Sequence, residues 1–144
     1  MPKSTATCNS VLALIFNATA WADIAQNDGS GPLTDLYLSL HTATPGVGNN
    51  QTTNETAYTN YVRIAVERTT SGWDVPSAGA TATAARAQFA QCGMTGATIT
   101  HVAIGTAASG AGTVLYAGAL SSSLAVANGI QPQFAAGALT VTET

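Results

Sequence analysis

The apolar positions change their period along the chain. Near the N-terminus Val11, Leu12, Ile15 and Phe16 recur at helical spacing, with Asn9 or Ser10 placed to cap the first turn. A short continuation, "WADIAQ", stops at the breaker cluster "NDGSGP". The period then drops to two. In "DLYLSLHT", Leu36, Leu38 and Leu40 fall on one side, and Tyr37, Ser39 and His41 on the other. That pattern predicts a half-buried strand with its polar side turned away from the core.

A long polar stretch, "ATPGVGNNQTTNETAYT", follows without apolar periodicity. Then come "YVRIAVERT", the surroundings of Trp73, "ARAQFAQC", "ATITHVAIGT", "TVLYAGALS", "GIQPQFAAG" and "ALTVTE". Each is short and bounded by Gly, Pro, Ser or Asn. Spacings of roughly 8–12 residues with turn signals predict an antiparallel β-sandwich or barrel. The only helical signal is N-terminal, so there is no βαβ alternation. The expected organisation is an N-terminal arm and helix over 1–30, packed on an antiparallel β domain over 31–144, with a long loop at 43–60.

Composition alters this picture in one respect. Hydrophobic residues make up 46% of the 144 residues, enough for a core, but charged residues only 8%, against a usual share of about 25%. Soluble monomers normally carry a dense mixed-charge surface. Two explanations fit: a surface covered by other subunits, or the polar, weakly charged surface of many secreted β proteins. Lys3, Arg63, Arg68 and Arg86 are too few and too scattered for a phosphate-binding face, and the net charge is −3. The N-terminus begins with one lysine and a short apolar run, as a signal peptide does. Asn17, Thr19 and Asp23 interrupt that run, and an amphipathic helix is the preferred reading. No apolar run has the length of a membrane span.

Candidate chemistry is sparse. Cys8 and Cys92 are isolated and are expected to be free, buried thiols. The sequons at Asn17, Asn50 and Asn54 carry no weight without a secretory route. His41 and His101 each lie in a strand pattern, and the seven carboxylates are dispersed. No nucleophile elbow or Walker lysine is present. The glycine-rich "GTAASGAG" opens no helix and reads as a hairpin turn. Trp21, Trp73, Tyr58, Tyr61 and Tyr116 either form a sugar platform or fill a core or interface, the second being preferred. The expectation is no catalytic residue, no cofactor and no metal. His41, Thr42, Pro45 and Gly46 would form the turn that ends the first strand.

The blocks "LYLSLHTATPG", "YTNYVRIAV", Trp73, "ITHVAIGTAASGAGTVLYAGAL" and "GIQPQFAAGALTVT" occur in that order over nearly the whole chain. In this the chain resembles a family of small tailed-bacteriophage structural proteins. Members carry a strand ending in a Leu-His-Thr-Ala turn, a Tyr-x-Arg strand and a Thr-His-x-x-Ile strand. Thr44 stands where an acidic residue commonly precedes the proline, which removes any role for that acid here.

The resemblance implies a virion component without enzymatic activity, assembled in the host cytoplasm. The expected partners are other virion subunits, with no nucleic acid and no membrane. The first expectation is a capsid decoration (cement) protein that contacts the major capsid protein as a homo-oligomer, in the form of a trimer. A tail or tail-fibre component is the alternative. A carbohydrate-binding adhesin using Trp73 is a second one. The expected contact loop comprises Val47, Asn49, Asn50, Gln51, Thr52, Asn54 and Tyr58. Its glycines and asparagines make order costly, so it is expected to be mobile until a neighbouring chain supplies partners.

Overall fold

A computed structural model describes residues 4–21, 33–46 and 50–143. The elements are α1 (Thr5–Phe16), β1 (Asp35–His41), β2 (Ile64–Glu67), β3 (Ala80–Ala82), β4 (Ala87–Gln88), β5 (Ala97–Gly105), β6 (Val114–Val126), β7 (Gln133–Phe134) and β8 (Thr140–Thr142). The fold is mainly β with one N-terminal helix, sandwich-like and without a closed barrel. The chain divides into two compact units. The first comprises Met1–Asp35, Val66–Ala87 and Phe134–Thr144, and the second comprises Leu36–Ala65 and Gln88–Gln133.

In the first unit, α1 begins a full turn earlier than the spacing suggested. Ser4 is the cap: its hydroxyl accepts from the Thr7 N–H. Asn9, the expected cap, instead accepts from the backbone N–H of Gly79. Cys8, Leu12 and Phe16, four residues apart, form the buried stripe. Phe16 meets Trp73 with ring centroids 4.4 Å apart. The helix ends at Phe16, where Asn17 donates back to the Ala13 carbonyl. Two of its last carbonyls, on Leu14 and Ile15, accept from the Arg68 guanidinium, which also reaches Leu33. A cation at this end suits the helix dipole. Burial lowers the Arg68 pKa from its ordinary value. The helix packs against β3, which pairs antiparallel with β8, Thr81 opposite Val141. The "WADIAQ" continuation beyond Trp21, and the breakers after it, lie outside the described residues.

The four-stranded sheet has the order β2-β1-β5-β6. In the second unit β1 runs antiparallel to β5, from Tyr37 opposite Gly105 to His41 opposite His101. The core there contains Leu36, Leu38, Leu40, Ile99, Ala103, Ile104 and Val126, with Tyr58, Phe89 and Cys92. Cys8 and Cys92 are free and buried. The polar side of β1 departs from the sequence pattern: Ser39 and His41 are fully buried too. β6 is longer than its apolar run and continues through Ser121–Ser123 to Val126. β4 and β7 shrink to two residues each, although their flanks stay bonded: Phe89 N–H donates to Pro132 and Cys92 N–H to Ile130. Among the described residues no helix is long and apolar enough to cross a membrane.

Candidate functional site

β1 delivers Ser39 and His41 to a closed polar cluster in the second unit. His41 Nδ1 stands 3.0 Å from the Thr53 carbonyl. A carbonyl only accepts, so this nitrogen carries the proton. His41 Nε2, 2.9 Å from Ser39 Oγ, then accepts from the serine hydroxyl. Gln51 continues the chain of bonds. Its Nε2 donates to the Tyr37 carbonyl at 3.3 Å and to Ser39 Oγ at 3.4 Å. Its Oε1 accepts from the Ala107 N–H at 3.0 Å. The Gln51 carboxamide lies against Gly105 and Gly112, and a Cβ at either position would overlap it. The glycine-rich stretch between β5 and β6 therefore does two things. It turns the chain, and it leaves room for a buried glutamine.

Beside this lies an ion pair. Arg63 donates to both Glu55 carboxylate oxygens at 2.7 Å, and its side chain is only 2% exposed. The same guanidinium donates to the carbonyls of Ala107 and Gly110 at 2.8 Å, holding the β5–β6 hairpin tip. Tyr61 donates its hydroxyl proton to Glu55 and accepts from the Leu40 N–H. Its ring stacks on Phe89.

Burial sets the protonation states. Desolvation lowers the His41 pKa below its usual value, and the Thr53 carbonyl and Glu55 oppose this only in part. The ring is neutral. Burial also pushes Tyr58 up to about 12 and raises Tyr61. The bond to Glu55 raises Arg63. A serine hydroxyl on an imidazole is the start of a nucleophile–base pair. Here Ser39 and His41 both have 0% exposure, so no substrate reaches them. Among the described residues, no group of three or more His, Cys, Asp or Glu side chains could hold a metal ion.

The expected loop residues divide. Val47 and Asn49 lie outside the described residues. Thr52 and Asn54 are exposed, and Asn50 is half-buried and bridged to Thr113. Gln51 and Tyr58 are buried, Tyr58 donating to the Ala90 carbonyl at 2.9 Å. At the turn, Thr42 N–H donates to the Asn54 carbonyl, and Asn54 returns a bond to Thr44. Thr42 is exposed, Pro45 is buried, and Gly46 takes a positive φ of 75°. Gln51, Thr53, Thr56 and Thr59 thus bond through their backbone N–H groups to Gly112, Asn50, Leu40 and Thr95 of their own chain, while the buried Thr56 hydroxyl has no partner among the described residues. In the sequence Glu55 and Arg63 stand eight residues apart among dispersed charges. The signal for their pairing is that they are the only two formal charges between Leu36 and Ala65. Trp73 has 0% exposure and Tyr58 2%, so both fill cores and neither offers a sugar platform.

The family model described as podophage GP4 fiber I protein gp80 matches residues 2–142. The chain belongs to that family. It is a structural protein of the bacteriophage virion, and it associates with other virion components. No curated relative matches it.

Proposed function

We propose that the chain is a tail-fibre subunit, a prefolded β module that works by packing against other virion chains and catalyses no reaction. The family match over residues 2–142 carries this reading, because that family is described as a fibre protein. It favours the tail over the capsid-cement role first expected from the sequence. The burial of Ser39 and His41 supports a role without catalysis. The 8% share of charged residues supports a surface largely covered in the assembly. Gold-labelled antibody against the chain, applied to intact virions, tests the proposal. Label on tail appendages is the expected result. Label on the capsid faces would return the reading to a cement protein.

A further inference from the structure

One outer edge of the four-stranded sheet is formed by β6, within the second unit. Among the described residues β6 is a terminal strand, paired with β5 on one side only. It runs for 13 residues and holds no proline and no charged side chain. Open edges template pairing with another chain, and proteins usually blunt them with charge, proline or short length. β6 has only bulges. Its register against β5 shifts between Ile104 and Gly105 and again between Ile99 and His101. At the second shift Leu120 to Ser123 have no register partner on β5. From Ala117 to Ala125 every exposed residue is Ala, Gly or Ser. A Cβ built on Gly118 meets nothing within 4 Å. These small side chains put little bulk beside the edge.

Sequence symmetry and charge point to the occupant. Residues 119–125 read Ala-Leu-Ser-Ser-Ser-Leu-Ala, the same in both directions about Ser122. An isologous contact has to be self-complementary. Antiparallel pairing about a two-fold axis at Ser122 sets Leu120 against Leu124 of the partner subunit, and Ser122 against its own copy. The charge balance agrees. Leu36–Ala65 contains only Glu55 and Arg63 as formal charges, bonded to each other, and Gln88–Gln133 contains none. A charged partner finds no counter-charge in this unit, whereas a second copy needs none. We propose that β6 pairs antiparallel with β6 of a second copy of this chain, centred on Ser122. Such a contact gives an even number of copies, where the cement reading expects a trimer.

This inference rests on the reading of the chain as an assembling virion subunit, but purified full-length protein tests it separately. Directly opposed residues in an antiparallel pair have Cα atoms roughly 4.5–5.5 Å apart, within disulfide reach. Oxidised Ser122→Cys should run as a disulfide-linked dimer. Ala117→Cys, far from the axis, should not. Ala119→Lys should shift the wild-type oligomer to monomer in sedimentation, with the far-UV circular dichroism of the wild type retained and a melting temperature that no longer rises with protein concentration. Wild-type protein that stays monomeric, or equal cross-linking of the two cysteine variants, would overturn the pairing. Self-association with no label on the tail would count against the proposed function alone. Label on the tail with no cross-link would count against this pairing alone.

Discussion

His41 shows how much a single side chain depends on its surroundings. Its ring is fully buried, and both nitrogens are bonded inside the chain. The neutral form satisfies Ser39 and Thr53, and the charged form is disfavoured by desolvation. The consequence for stability has a definite sign. The unfolded chain binds a proton near pH 6.5, the ordinary value, and the folded chain only below it. Above that pH both states hold a neutral ring. As pH falls below it, the unfolded state gains a proton that the folded state refuses, and stability drops by up to about 1.4 kcal/mol per pH unit. The loss continues until the lowered folded value is reached. Urea unfolding from pH 7.5 to pH 5 should show this slope, and His41→Asn should remove it at a cost in stability at every pH. The same slope in both proteins would show that another group carries it. The sequence placed His41 at the end of a strand but on its outer side. Its bonds run to Thr53 directly and to Gln51 through Ser39, residues beyond the strand, and period-two spacing carries no information about them.

At the level of elements, the long periodic segments were legible. Leu36, Leu38 and Leu40 marked β1, and "ATITHVAIG" matches β5. β3 was missed because Ala80, Thr81 and Ala82 are small and show no hydrophobic alternation. β4 and β7 stop early where Pro132, which has no N–H, cannot continue a ladder. The cap is Ser4, because the helix begins at Thr5, and Asn9 lies inside it and accepts from the Gly79 N–H. The β5–β6 hairpin tip is held by Arg63, and Arg63 by Glu55, so the three form one mechanical unit. Glu55→Gln leaves a nearly buried guanidinium with a neutral partner. Removing one member of a buried pair costs about 3–5 kcal/mol, so the melting temperature should fall sharply. The double variant Glu55→Gln/Arg63→Met should recover part of the loss, since it removes the unpaired charge as well. Equal melting of the single variant and wild type would mean that the pair is not structural.

On the scale of the whole molecule, mainly-β architecture, the single helix and virion membership could all be read from the order of short blocks. The internal completion of the second unit could not, because it depends on one charge pair and one glutamine meeting far along the chain. With the Glu55–Arg63 pair and Gln51 bonded internally, the second unit is complete before assembly. Its two charges and the side chains of Ser39, His41 and Gln51 are bonded inside, and an uncharged edge is left for other chains. Amide hydrogen exchange on the dilute free protein and on intact virions tests this most directly. The prediction is strong protection of Gln51, Thr53 and Thr56 in both states, with protection of Ala117 to Ala125 rising only on assembly. Rapid exchange of Gln51 to Thr56 in the free protein, slowed only in the virion, would contradict it.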